Sequence, residues 1–243
     1  TEERDLAAVH EQARDIIEAV KRTSAICRDL TGYSRRASPH EDVPVAVNGK
    51  LDEALKIARY ASSFHDIEMI NTDSGRVFKT SADKYYLVDF ADSTSTSIKL
   101  SILPFQYNRI SFMVGVDSAR NVSGAQTGAL DPANGMFWTW NTGYIMAKLE
   151  GNAPTSPSGT FEYHIGGFKE PDNVIKKPTL LFPFGQTLDL KPEKTSEITV
   201  SANINSWFYN PHDIKFNQTP VCTTPGSLAK QIAENYSKMF TVD

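Results

Sequence analysis

The chain has 243 residues, 40% of them hydrophobic, and a net charge of −4. That is enough apolar material to bury a full core, while the absence of a concentrated Lys/Arg stripe excludes a nucleic-acid surface, which must neutralise phosphates. No apolar run reaches the roughly 18 residues that a membrane-spanning helix requires.

The first predicted element is helical. Leu6, Val9, Ala13, Ile16, Ile17, Val20 and Ile26 recur at spacings of three and four across residues 3–30, giving one apolar and one charged face. Gly32 ends the pattern, and Ser34–Asp42 reads as a polar linker. Residues 1–42 are therefore expected to form an amphipathic appendage, and residues 43–243 the main domain. The apolar face suits packing on a sheet or self-association with a neighbouring subunit, with membrane-surface binding as the alternative. The chain starts at Thr1, without an initiator Met or signal peptide, as expected of a trimmed mature protein. A second, shorter helix is expected from Leu51, because Leu51, Ala54, Leu55 and Ala58 share a helical face.

From residue 64 the pattern changes to period two. Phe64–Ile70, Val77–Lys79, Tyr85–Phe90, Ser97–Leu103, Tyr107–Val116, Gly143–Glu150, Phe161–Phe168, Pro178–Phe182 and Glu197–Asn203 alternate apolar and polar residues. So many strand segments with no helices between them predict a mainly β chain, an antiparallel β-sandwich. Residues 153–159 form a turn-rich hairpin tip. Ser227 is the expected N-cap of a C-terminal helix in which Leu228, Ile232 and Tyr236 repeat every four residues.

A dense block of about two dozen residues without a regular period separates Tyr107–Val116 from Gly143–Glu150, too long for an ordinary hairpin turn. Asp117, Asn121, Asp131 and Asn134 are placed to cap its turns, and Phe137, Trp138 and Trp140 to give it a small apolar core. Oxygen ligands from Asp117, Asn121 and Asp131 offer a calcium-site alternative to turn capping. Trp138 and Trp140 fall on one side of a strand entry, where they can stack on a ligand, undergo oxidation or fill the end of the sandwich. Met136 and Met146 are thioether donors or gap fillers.

The histidines stand at 10, 40, 65, 164 and 212, and none lies in a zinc-like cluster. His164 alternates along a strand that ends in Gly166 and Gly167, which let the backbone bend or approach closely where the strand reaches a site. Its imidazole suits copper, and a strand histidine hydrogen-bonded to a neighbour is the other reading. His65, also on a strand-like run, is the second candidate donor. No G-x-S-x-G elbow or comparable context marks a nucleophile, so the chain reads as non-enzymatic. Cys27 and Cys222 lack C-x-x-C spacing and can form at most one disulfide, which would join the appendage to the main domain.

The series GVDS at residues 115–118, GALDP at 128–132, GMFWTWN at 135–141, KLEG at 148–151 and YHIGGF at 163–168 resembles the MbnP family of bacterial copper-binding proteins. WFYNP at 207–211 and AENYSKMF at 233–240 extend the likeness, which covers about three quarters of the chain. The resemblance implies export to the periplasm or to the outer-membrane surface as a lipoprotein. It also implies copper held by histidine imidazoles, assisted by a tryptophan that a dihaem partner enzyme oxidises to kynurenine. Residue by residue it carries His164 onto a ligand. The relatives' W-x-H on the first strand is absent here. The expected function is copper binding or handling. The alternative is a metal-free accessory module of a cell-surface assembly that docks on a protein partner through Leu6–Ile26.

Overall fold

The computed structural model describes residues 44–46 and 54–243, apart from 141 and 142. The predicted helix Leu6–Ile26, its linker and Cys27 lie outside the described residues. In chain order the first half contains β1 (Pro44–Ala46), β2 (Ala54–Asn71), β3 (Arg76–Lys79), β4 (Tyr86–Asp89), β5 (Gln106–Tyr107), β6 (Arg109–Val114) and α1 (Ser118–Val122). The second half contains β7 (Phe137–Trp138), β8 (Gly143–Asn152), β9 (Thr160–Gly166), β10 (Thr179–Leu181), β11 (Leu188–Asp189) and β12 (Val200–Ala202). It closes with β13 (Val221–Cys222), α2 (Ser227–Tyr236) and β14 (Phe240–Val242).

The chain is mainly β. A ten-stranded sheet runs in the order β10-β6-β2-β8-β9-β13, with β1, β3, β4 and β7 attached, while β11–β5 and β12–β14 form two small ladders. β13 pairs with β9 in parallel, so the large sheet is mixed and the wholly antiparallel expectation is corrected. A two-residue strand carries too little alternation to show its direction in the sequence.

β2 organises this sheet by changing partner along its length. Lys56–Ser62 pair with β8 and Phe64–Ile70 with β6. Ala61 and Ser62 pair with β4 as well as β8, and Phe64 pairs with β4 as well as β6. A residue has one neighbour on each edge, so β8 and β6 share an edge and the sheet forks between them. A register shift between His65 and Glu68 marks the bend, with Asp66 at a φ of 49°. Such irregularities let a strand pass from one leaf of a sheet to another.

Residues 54–58, expected within a short helix, belong to β2 instead. Apolar residues at 54, 55 and 58 fit either period over so short a window, and pairing with neighbouring strands decides the outcome. Along Ser97–Leu103 the alternation is present, with Ile98, Leu100 and Ile102 half-buried against the core, yet no ladder forms there. The cap of α2 falls one residue earlier than expected, on Gly226, and Ser227 is the first helical residue.

One face of β8 and β9 packs the main core. Tyr163, Ile165, Phe161 and Leu149 meet Tyr60, Trp207, Phe208 and Tyr236, all fully buried. Burial of each such side chain contributes about 2 kcal/mol. Asn235 of α2 is a polar member of this interior. Its side chain donates to the carbonyls of Trp207 (3.1 Å) and His212 (2.7 Å) and accepts from the His212 N–H (2.9 Å). Cys222 is a free, buried thiol, pushed up to about 11 by burial.

Candidate metal centre

The opposite face of the same two strands carries charge. In the β8–β9 ladder Lys148 faces His164 and Glu150 faces Glu162, while on the other side Lys148 faces Ala61 and Glu150 faces Arg59. Directly paired residues share a face, and so do residues two apart, so these side chains rise together from one surface. The hairpin tip sets this register: residues equidistant from Ser156 stand opposite each other.

His164 Nε2 lies 2.5 Å from Glu150 Oε1 and 3.3 Å from Glu162 Oε1. The three ligand atoms all lie within 4.8 Å of one another, and this is the one such group among the described residues. His164 is the floor, 14% exposed at its side chain, with Glu150 at 32% and Glu162 at 48% towards solvent. The hydrogen bond from His164 holds the Glu150 carboxyl below the usual carboxylate range; burial opposes the shift and the nearby Lys148 charge supports it.

Two cations stand beside the trio. The Arg59 guanidinium is neutralised by Asp89 at 3.0 Å and donates to the Asn134 carbonyl at 2.9 Å. Lys148, with only 7% of its side chain exposed, donates to the Gly135 carbonyl at 2.7 Å and lies 3.8 Å from Glu150 Oε1. Burial pushes the Lys148 ammonium below its ordinary range, against the pull of Glu150.

Through these cations the long insertion is fixed over the same face. Asp117 accepts the Arg120 N–H at the start of α1 and a hydrogen bond from the Tyr85 hydroxyl. Burial raises the Asp117 carboxyl, and these donors outweigh it, leaving the group below its ordinary value. Asn121, buried, donates to the carbonyls of Val116 (2.7 Å) and Asp117 (2.9 Å) and accepts from the Tyr144 N–H (2.9 Å). Asp131 accepts the Ala133 N–H at 2.8 Å. The three residues proposed as calcium ligands thus serve as caps and braces of the loop.

β7 brings Trp138 back onto β8. Trp138 packs with Ala61, Met136 and Ile145, and its ring lies over Gly166: a Cβ there would stand 2.5 Å from the indole. Gly166 is two residues beyond His164, so the indole sits about 7 Å along the strand on the imidazole's own face. Trp140 is 63% exposed, its ring tilted against Trp138 at 5.5 Å.

His65 lies elsewhere. It is separated from His164 by two interstrand spacings and four residues along β2, well over about 10 Å. There its Nδ1 is hydrogen-bonded to the Gly115 carbonyl at 3.1 Å, and its ring stacks on Tyr85 at 4.8 Å. Burial holds the His65 imidazole below its ordinary value. The partners of His164 are carboxylates, which the expectation of a second histidine does not include. Their signal was legible: K-x-E at 148–150 and E-x-H at 162–164 flank the tip symmetrically.

One imidazole and two carboxylates form a donor set for a divalent transition ion. An N/O site favours copper(II) over the earlier first-row ions, whereas soft copper(I) prefers sulfur. Among the described residues no sulfur joins the set: Met146 is buried in the main core, its Sδ accepting from the Val116 N–H at 3.1 Å, and Met136 packs with Ala61. Among the described residues no helix is long and apolar enough to cross a membrane.

The family model described as MbnP matches residues 37–224. Among solved structures, MbnP from Methylosinus trichosporium is similar with a TM-score of 0.45 and 16% sequence identity, over 83% of this chain and 91% of that one. No curated protein matches the sequence.

Proposed function

The chain belongs to the MbnP family, and from that premise we propose that it is an exported protein that binds and handles copper(II) at His164, Glu150 and Glu162. The observation that carries this reading is the convergence of the three ligand atoms within 4.8 Å on one sheet face. The tryptophan-bearing insertion covers the adjoining stretch of that face. The imidazole supplies the nitrogen donor and the two carboxylates neutralise the ion's charge. A bound cupric ion would supply a Lewis-acidic, redox-capable centre. The protein's own part is to fix the donors through the β8–β9 register and to shield one flank with Trp138.

Metal ligands must be deprotonated to bind, so affinity falls in acid. Isothermal titration with copper(II) tests the reading. One ion per chain with an affinity tighter than about micromolar, lost by about two orders of magnitude or more in His164→Ala, is the expected result. Absence of binding in the parent protein would refute it.

A further inference from the structure

Resting on that reading of the site, we infer that Lys148 is an affinity-limiting residue, a fixed cation that weakens metal binding enough for the ion to exchange. The two carboxylates supply two negative charges, and one neighbouring cation remains uncompensated. Arg59 is spent on Asp89 at 3.0 Å. Among the described residues Lys148 has no carboxylate of its own: its ammonium is 3.8 Å from the same Glu150 oxygen that His164 contacts at 2.5 Å.

The ammonium is also held in place. Its hydrogen bond to the Gly135 carbonyl and the packing of the insertion leave the side chain 7% exposed, so it cannot swing into solvent when a dication arrives. A metal ion at the three ligand atoms therefore meets a positive charge a few ångström away in a partly desolvated place, where Coulomb repulsion is poorly screened. The repulsion acts on every dication alike. It leaves the order of preference among ions unchanged and lowers all affinities together, so that only the ion with the greatest intrinsic preference for imidazole and carboxylate is retained.

The test is a set of titrations of the full chain with copper(II), zinc(II) and manganese(II), comparing the parent with Lys148→Gln, Lys148→Met and Lys148→Arg. Gln keeps donors for the Gly135 carbonyl, Met removes them, and Arg keeps the charge. The expected result is affinity at least tenfold tighter for all three ions in both neutral variants, copper(II) release to a chelator slowed by a similar factor, and parental behaviour in Arg. Unchanged or weaker binding in both neutral variants, with the parent binding copper(II), would overturn the role of Lys148 alone. If the parent takes up no ion but the neutral variants do, Lys148 blocks the site and does not tune exchange, and the inference is overturned together with the copper reading. If none of the proteins binds, the site reading falls and this inference with it.

Discussion

Gly166 and Glu150 show how much single residues decide here. A methyl group at Gly166 would overlap the Trp138 ring at 2.5 Å. Gly166→Ala is therefore expected to cost about 1–3 kcal/mol, the usual penalty of overpacking, and to shift the tryptophan emission; an unchanged melting temperature and spectrum would contradict the packing. Gly167 meets a second limit, since its φ is 130° and a Cβ would stand 2.2 Å from the Asp172 carbonyl oxygen. Glu150 sets a pH dependence. Its folded-state value is depressed, so its contribution is complete above the unfolded carboxylate pKa of about 4.3 and is lost as the pH falls through the lower folded value. Glu150→Gln should flatten the acid limb of stability in urea titrations between those two values; a limb identical to the parent's would refute the assignment. The glycine pair and the imidazole beside it were legible in the sequence, because a strand ending in two glycines signals close approach. The partners of His164 needed the hairpin register, which the turn-rich tip centred on Ser156 already contained.

At the scale of elements, α2 is fastened by one side chain. Asn235 makes three hydrogen bonds to the 207–212 segment and is fully buried. Asn235→Ala leaves two carbonyls and an N–H unpaired inside the protein and should cost about 2–4 kcal/mol, read as a fall in the urea midpoint; a loss below about 0.5 kcal/mol would show that water replaces the amide. The strand periods of β3, β4, β6, β8, β9 and β10 were readable from alternation, as was α2 from its four-residue repeat. The start of β2 is ambiguous in the sequence because small and apolar residues at 54–58 serve either geometry, and only its partners β1 and β8 settle the matter. β13 and β14 were invisible, being held by tertiary pairing with β9 and β12 and not by any pattern of their own.

For the molecule as a whole, the division of labour lies between the two faces of the β8–β9 pair. One face buries Tyr163, Ile165 and Phe161 in the main core, and the other presents His164, Glu162 and Glu150 beside the insertion. The core and the candidate site are thereby carried by alternate residues of the same strands, which is why the mainly β architecture and the imidazole could be read together from one period-two pattern. The fork in β2 could not, since it depends on which strands share an edge. Because every proposed ligand lies between residues 150 and 164, removal of residues 1–42 should leave copper(II) affinity within about twofold and retain the β contribution to the circular dichroism spectrum; a lost site would show that the opening segment completes it. The central claim, a cupric ion held by the His164 imidazole with two carboxylates, is tested most directly by pulsed electron paramagnetic resonance of the copper(II)-loaded protein. The account predicts nitrogen coupling from a single histidine that vanishes in His164→Ala; coupling from other histidines, or a signal that survives this substitution, would contradict it.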